Sequence, residues 1–384
     1  MTTGPSSSSQ APSRAARASG PGWRIATIGG VPVHLGGTWF LMAAVIVALI
    51  GPGIARSRPD LGLLAYAVAF AYALLLLVAV LVHEGAHALA TRAFGLPVLR
   101  VVADLWGGHT AYDPTKATAG QSAVIAVVGP ISNLVLAGVA FVVAPLLPPG
   151  VPHGLAAAFA LINGVLAAFN LLPGHPLDGG QLVESAVWGA TGDRHRGRVV
   201  AGWCGRFVVV GLAVWWLVVP LLRGRDLDIT QLIWVGMVGM FMWRGASQAI
   251  AAGTILGSLG RVPLTSVIQP AHAITADATV AQAVDAAREG AVAVLVGPEG
   301  RPLGLVDAQA LGAVPRAAWA TTSIAAVVRH QPPEWALELG PDADAIALVR
   351  TMQEHDLAVV AVTTGGVLRG VATAQAVMTA LDGH

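Results

Sequence analysis

A long run without charged residues is the feature that most constrains this chain. No Asp, Glu, Lys or Arg occurs between Lys116 and Asp178. A globular domain normally contains about 25% charged residues, whereas this chain has 11% charged and 55% hydrophobic residues. Because a surface facing water needs charged side chains, we exclude a wholly water-soluble protein.

Apolar stretches of the length needed to cross a membrane, about 20 helical residues, recur along the first two thirds of the chain. They lie near 36–55, 61–90, 119–147, 154–172, 207–222 and 229–250. Most of the basic residues around them fall on one side, and only Arg56, Arg58, Arg223 and Arg225 fall on the other. Since basic residues concentrate on the cytoplasmic side, the pattern predicts a multi-pass protein with both termini cytoplasmic.

The balance of charge changes near residue 260. Up to Gly260 there are 15 basic and 9 acidic residues, and from Arg261 onward there are 7 basic and 12 acidic residues. We predict a disordered tail over 1–22, which is too poor in apolar residues to pack, a membrane domain over 23–260 and a separate domain over 261–384. Neither domain has a concentrated basic run, so no nucleic-acid partner is expected.

A histidine motif at the end of the second apolar stretch carries the chemistry. The segment His83-Glu84-Gly85-Ala86-His87 places two imidazoles at positions i and i+4, which share one face of a helix. Both can bind one metal ion while Glu84 handles a water proton. Three ionisable groups at membrane depth are costly unless they serve a site. A chance motif whose side chains pair within the bundle is the weaker interpretation.

A third metal ligand must come from elsewhere in the chain, because catalytic zinc sites use three protein ligands and leave one position for water. The only cysteine, Cys204, excludes a cysteine-rich site. Asp178 is the only acid in the segment NLLPGHPLDGG, whose proline and glycine residues indicate irregular backbone at the membrane. Asp178 is therefore the natural third ligand, although it could also cap a helix that starts near Gly180. His175 could compete for the metal or tune the site, but we favour an exposed loop residue.

These motifs together resemble the site-2 protease family of intramembrane zinc metalloproteases. The H-E-x-x-H motif is followed about 90 residues later by N-x-x-P-x-x-P-L-D-G-G, and the segments GVPVH at 30–34 and GPISN at 129–133 agree with the family. The resemblance covers roughly residues 23–255. Gln181 is a departure, because members of the family often have a basic residue there.

The resemblance implies a cofactor, a set of site residues and a substrate class. It implies one Zn²⁺ per chain, and its site residues are His83, His87 and Asp178 as zinc ligands, Glu84 as the base, Asn170 as a contact to substrate or oxyanion, and Asn133 as a structural polar residue. It also implies a prokaryotic plasma membrane, contact with lipid, and a transmembrane substrate such as an anti-sigma factor. His34 and His109 receive no role.

A β element is expected beside the membrane helices. The segment Val98–Tyr112 is rich in β-branched and aromatic residues and contains Gly107-Gly108, which is typical of a strand or hairpin. It would lie on the cytoplasmic side and offer an unpaired edge. Such an edge can bind an extended peptide, so this segment is a candidate to hold an unwound substrate.

The last part of the chain repeats itself with an offset of about 65 residues, which indicates duplicated α/β units. It resembles a tandem CBS pair with copies at about 262–315 and 320–382. The resemblance allows a homodimer and binding of an adenine nucleotide. Asp307 with Ala310, and Thr373 with Ala376, lack the final acid of the nucleotide motif, so a structural or dimerising role is favoured.

The predicted fold is therefore a polytopic α-helical membrane protein of about six transmembrane helices with a small cytoplasmic β element, followed by a soluble α/β tandem CBS module. The predicted function is intramembrane zinc proteolysis. The alternative is a divalent-ion transporter or channel gated by the CBS pair. Glu84 discriminates between them, because a transport site needs ligands but no base beside them.

Overall fold

The computed structural model describes residues 22–28, 30–104, 107–112, 117–260, 263–288, 291–340 and 345–382. The chain forms two compact units, Met1–Ala251 and Ala252–His384. The division precedes the boundary expected at 260, because the end of helix Ile229–Leu259 places Leu256 and Leu259 in a core of the second unit. The tail predicted over 1–22 lies outside the described residues except for Gly22.

Long helices make up most of the first unit. Their bounds are α1 Thr38–Ser57, α2 Leu64–Ala93, α3 Ala119–Val143, α4 Val151–Asn170, α5 Asp178–Thr191, α6 Arg194–Ala213, α7 Val219–Leu222 and α8 Ile229–Leu259. A π-helical turn over Val214–Val218 joins α6 to α7. Helix α6 begins well before the predicted span at 207, because the Asp193 carboxylate caps it by accepting from the backbone N–H groups of His195 and Arg196.

Five helices within the described residues are long and apolar enough to cross a membrane. They are Thr38–Ser57, Leu64–Ala93, Ala119–Leu146, Val151–Asn170 and Arg194–Leu222. The sixth predicted span falls in α8, which is a long helix but not one of these five. Gln231, Arg244 and Gln248 lower its apolar character. The polytopic helical architecture is confirmed, with five rather than six spans by length and composition.

A four-stranded sheet accompanies the helices of the first unit. It consists of β1 Trp23–Ile28, β2 Val31–Leu35, β3 Val98–Asp104 and β4 Gly107–Tyr112, in that order. Strands β3 and β4 form an antiparallel hairpin, as the sequence predicts, and β2 pairs with β3 in parallel. Val31, Val33 and Val101 are buried and pack against Ala88 of α2. The sheet is therefore fixed to the helix that carries the histidine motif.

The second unit contains a seven-stranded sheet, ordered β8-β7-β6-β5-β11-β10-β9. Its strands are β5 Gln269–Ile274, β6 Val292–Val296, β7 Pro302–Val306, β8 Val328–His330, β9 Ala336–Glu338, β10 Val359–Thr364 and β11 Val367–Thr373. Its helices are α9 Leu264–Val267, α10 Val280–Arg288, α11 Ala308–Ala313, α12 Ala345–Glu354 and α13 Ala374–Asp382.

The internal repeat is visible in this unit. A helix, two antiparallel strands and a second helix follow one another as α10-β6-β7-α11 and again as α12-β10-β11-α13. Each copy has its own buried cluster, one around Val280 and Ile324 and the other around Leu348 and Val360. The prediction of a duplicated α/β module is confirmed.

Candidate metal centre

The histidine motif lies in the C-terminal half of α2, and its three ionisable side chains are buried. The exposed fractions are 5% for His83, 6% for Glu84 and 8% for His87. One helical turn separates the two imidazoles, whose ring centroids are 4.7 Å apart in an edge-to-face arrangement. The metal-binding atoms of His83, Glu84 and His87 lie within 4.8 Å of one another.

Neighbouring helices fix the protonation of both imidazoles. His87 Nδ1 lies 2.6 Å from the Ile125 carbonyl oxygen in α3, which can only accept, so Nδ1 carries the proton. His83 Nδ1 lies 2.5 Å from Asn133 Oδ1. In neutral imidazoles both Nε2 atoms are therefore left with a free lone pair.

The orientation of the Asn133 amide is itself determined by its surroundings. Its Nδ2 donates to the Ala79 carbonyl oxygen at 3.2 Å and to Asn163 Oδ1 at 2.8 Å. Asn163 in turn donates to the Phe159 carbonyl oxygen at 2.9 Å. Both asparagines are fully buried. Asn133 therefore links α2, α3 and α4, as expected of a structural polar residue, and also orients His83.

Asp178 completes the cluster from the start of α5. Its Oδ2 lies 3.0 Å from His83 Nε2 and 3.4 Å from His87 Nε2, and the two Nε2 atoms are 3.1 Å apart. Asp178 is the first residue of α5, and Leu177 occupies the N-cap position. With both imidazoles neutral, three electron-pair donors thus converge, an arrangement that a bound cation stabilises. Two imidazoles and one carboxylate are a ligand set that suits zinc.

Gly129 of α3 provides the space for this cluster. A Cβ atom at that position would lie 2.6 Å from His87 Cε1 and 2.8 Å from His83 Cε1, and closer still to His87 Nε2. The GPISN segment therefore contributes twice, because Gly129 admits the imidazoles and Asn133 orients one of them.

We expect Gly129→Ala to weaken zinc binding by about fivefold or more, because overpacking of this kind costs about 1–3 kcal/mol. The measurement is zinc affinity of the purified chain in a competition assay with a chelator. Gly138→Ala is the matched control, since Gly138 lies in the same helix and a Cβ there meets nothing within 4 Å. Equal affinities in the two variants would contradict the packing described here.

A second buried charge cluster lies beside the Asp178 loop. Glu184 of α5 is 3% exposed, and its carboxylate contacts His175 Nε2 at 2.9 Å, Arg194 Nε at 3.0 Å and Arg198 Nε at 3.3 Å. Burial alone would raise the pKa of the Glu184 carboxyl, but the His175 hydrogen bond, the charge of Arg198 and the Arg194 hydrogen bond lower the pKa to about 2. Glu184 is thus ionised at neutral pH.

The expectation that His175 is an exposed loop residue is wrong. Its side chain is 18% exposed and is bonded to Glu184. The sequence does not reveal this contact, because it depends on how the loop folds against α5.

The remaining residues named from the sequence are Asn170, His34 and His109. Asn170 is the last residue of α4 and is half-buried, so its contact with substrate or oxyanion stays a prediction. His34 lies in β2, and the side chain of His109 is outside the described residues. Asn163 and Glu184 are buried polar residues that the sequence reasoning missed. An asparagine within an uncharged span is the signal that could have identified Asn163.

The second unit contains a cavity of about 440 Å³ lined by residues of α9, β5, β11 and α13, including Thr373 and Ala376. The corresponding position in the first copy differs. There the Asp307 carboxylate accepts hydrogen bonds from the backbone N–H groups of Gln309 and Ala310, at 2.8 and 3.1 Å. These two backbone N–H groups at the start of α11 are therefore already bonded to an acid of the chain itself.

Comparison with known proteins gives matches to both units. Residues 149–214 match the family model described as Peptidase family M50. A relative from Synechocystis sp. (strain PCC 6803), whose name assigns it to the zinc metalloproteases, is 30% identical over 229 residues, covering 59% of each chain. The chain spans about half the length of the curated relatives it matches.

The solved structures similar to this chain include the site-2 protease from Methanocaldococcus jannaschii. The two are 23% identical, the match covers 59% of this chain and 94% of that chain, and the TM-score is 0.42. The CBS domain of a bacterial CNNM/CorC family Mg²⁺ transporter in complex with ATP is 16% identical, with 34% of this chain and 94% of that chain covered and a TM-score of 0.27.

The resemblance drawn from the motifs is confirmed by the family match. Residues 149–214 of the first unit match peptidase family M50, and the Synechocystis relative bears the name of a zinc metalloprotease. The second unit, with its duplicated α/β copies, has the repeat architecture expected from the resemblance to a tandem CBS pair.

Proposed function

We propose that this chain is a zinc-dependent intramembrane protease. The observation that carries the proposal is the convergence of His83 Nε2, His87 Nε2 and Asp178 Oδ2 within 3.4 Å of one another, with the Glu84 carboxylate beside them. One Zn²⁺ per chain would be held by the two imidazoles and Asp178. That ion, when bound, makes a water molecule more acidic and polarises the peptide carbonyl.

The residues of the chain have separate roles in this proposal. Glu84 accepts a proton from the attacking water on its carboxylate and delivers it to the leaving nitrogen. Asn133 and the Ile125 carbonyl hold the imidazole Nδ1 protons, so both Nε2 atoms stay available for the metal. Asn170 contacts the substrate or the developing oxyanion.

The proposed substrate is a transmembrane helix of another membrane protein, for which an anti-sigma factor is one example. A helix hides its carbonyl groups in internal hydrogen bonds, so it must unwind before it can be cleaved. Strand β4 ends the sheet order β1-β2-β3-β4 within the described residues. Its outer side is where an extended substrate segment would add as a further strand.

The test of the proposal uses purified protein in detergent with a panel of single-pass membrane proteins. We expect zinc-dependent cleavage of a subset of them and loss of cleavage when a chelator removes zinc. The same protein in sealed vesicles loaded with a zinc indicator should show no zinc flux. Flux without cleavage would favour the alternative, a divalent-ion transporter gated by the CBS pair.

Both termini are proposed to be cytoplasmic, in a prokaryotic plasma membrane. The proposal is supported by the unequal distribution of basic residues between the two sides of the membrane. It requires that α8 crosses the membrane as a sixth span, despite Gln231 and Arg244.

We therefore expect green fluorescent protein fused after His384 to fluoresce, and alkaline phosphatase fused at the same point to be inactive. Fusions at Arg58 should behave in the opposite way, because that loop is assigned to the other side. An active phosphatase after His384 would mean that α8 does not cross.

The CBS module is proposed to act in assembly, including as a homodimer, rather than as an adenine-nucleotide sensor. The Asp307 carboxylate already satisfies the start of α11, and Ala310 and Ala376 lack the carboxylate that would hold a ribose. In the second copy Thr373 Oγ1 accepts from the Ala376 N–H at 3.1 Å.

We expect ATP, ADP and AMP to leave the Tm of the second unit within the full chain unchanged. A ligand present at 100 times its Kd would stabilise the folded state by about 2.7 kcal/mol, which is easily detected. A clear rise in Tm that Thr373→Ala removes would overturn this assignment.

A further inference from the structure

The loop that leads into Asp178 is packed between two helices with almost no free space. The backbone N–H of His175 donates to the Ala201 carbonyl oxygen of α6 at 3.2 Å. A Cβ at Gly205 of α6 would meet the His175 carbonyl oxygen, and one at Gly245 of α8 would lie 2.7 to 2.8 Å from the Pro176 ring. The backbone of this loop therefore rests directly on α6 and α8.

One side-chain contact ties the same loop to α5. His175 Nε2 donates to the Glu184 carboxylate at 2.9 Å, and Asp178 lies between these two residues at the first position of α5. The bond therefore closes the loop back on the helix whose first residue faces the imidazoles. Such a closure restricts the direction in which the Asp178 carboxylate can point.

Two arginines of α6 hold the Glu184 carboxylate in turn. Arg194 and Arg198, one helical turn apart, reach it at 3.0 and 3.3 Å. The carboxylate is 4% exposed, so these are charge-assisted contacts in a buried setting.

We propose that Glu184 is a positioning residue for the metal centre, acting through His175 on the loop that presents Asp178. It does not touch metal or substrate. The proposal rests on the proposed function, because it takes Asp178 as the third metal ligand. It adds that the geometry of this ligand depends on a cluster of charges on the far side of its loop.

The test is a double-mutant cycle on zinc affinity, measured by chelator competition with the full chain in detergent. We expect Glu184→Ala to weaken zinc binding about tenfold or more, in the range seen for residues that support metal ligands. His175→Ala should weaken it similarly. In an Asp178→Ala background, Glu184→Ala should cause no further loss, because its effect passes through Asp178.

Arg196→Ala is the control, because Arg196 lies on the same helix but is largely exposed and pairs only with Asp193 among its described ion pairs. It should keep wild-type affinity. Wild-type affinity in Glu184→Ala would overturn the proposal, and so would an equal loss with and without Asp178, which indicates general loosening of the bundle. If Glu184→Ala does not fold, His175→Ala carries the cycle, since Glu184 then keeps both arginines.

A further measurement separates positioning from stability. The visible absorption of the cobalt-substituted protein reports the arrangement of the ligands, and we expect it to change in His175→Ala while the spectrum of Arg196→Ala matches that of wild type. An unchanged spectrum in His175→Ala would overturn the proposal. Wild-type protein that binds zinc but cleaves nothing would contradict the proposed function, whereas the affinity cycle would remain decisive for Glu184.

Discussion

Glu84→Gln should abolish cleavage while zinc remains bound. The substitution removes the group that accepts the water proton but leaves both imidazoles and Asp178 in place. General acid–base catalysis contributes about 10²- to 10⁴-fold, so the rate of cleavage should fall by at least that factor. Cleavage of a membrane substrate and zinc content are measured on the same preparation.

The result also separates two roles for Glu84. Its carboxylate lies within 4.8 Å of the histidine ligand atoms, so distance alone would allow it to bind the metal. Asp178 is favoured as the ligand because its Oδ2 is within 3.4 Å of both Nε2 atoms. Loss of zinc from Glu84→Gln would reverse the two assignments, and full cleavage by this variant would refute the mechanism.

Asp178→Ala should lose zinc far more severely than any variant of the surrounding residues. Removing one of three ligands leaves only the two imidazoles, and we expect affinity to fall by more than the upper limit of about 100-fold that is typical for supporting residues. His175→Ala should lose less, since His175 acts only through the loop. Both are compared by metal analysis after dialysis against a chelator.

Asp60→Ala is the control for this experiment. Asp60 lies in the same unit, and its side chain is 60% exposed and pairs with Arg58. It should retain wild-type zinc content. Equal zinc loss in Asp178→Ala and His175→Ala would mean that Asp178 is not the third ligand.

Features set by local sequence were predictable. The uncharged stretch between Lys116 and Asp178 predicts membrane helices, and α3 and α4 fill it. The i and i+4 spacing predicts that His83 and His87 share a helix face, which the structure shows. Asp178 was selected as the only acid in its segment, and the structure brings it to the same cluster. In each case the decisive information lies within one continuous segment of the chain.

Features set by distant packing were not predictable in the same way. The GVPVH segment becomes β2 because it pairs in parallel with β3, more than 60 residues further along the chain. Nothing in five residues reveals such a partner. The sixth apolar stretch is difficult for a different reason. Helix α8 is long enough to cross the membrane, but it contains the polar residues Gln231 and Arg244.

The supporting residues of the metal centre depend entirely on how helices meet. Asn163 matters because α4 places its amide against Asn133. Glu184 matters because α6 brings two arginines to it and the Asp178 loop brings His175. A buried acid and a loop histidine look ordinary in a sequence, and only the packed structure joins them.

The most direct test of the account is a zinc titration of the metal-free protein. Zinc bound per chain and the rate of cleavage of a transmembrane substrate are followed together in detergent. We expect both to rise in parallel and to reach a plateau at one zinc per chain. Cleavage by the metal-free protein, or binding of one zinc per chain with no cleavage of a substrate that is cut in cells expressing this protein, would contradict it.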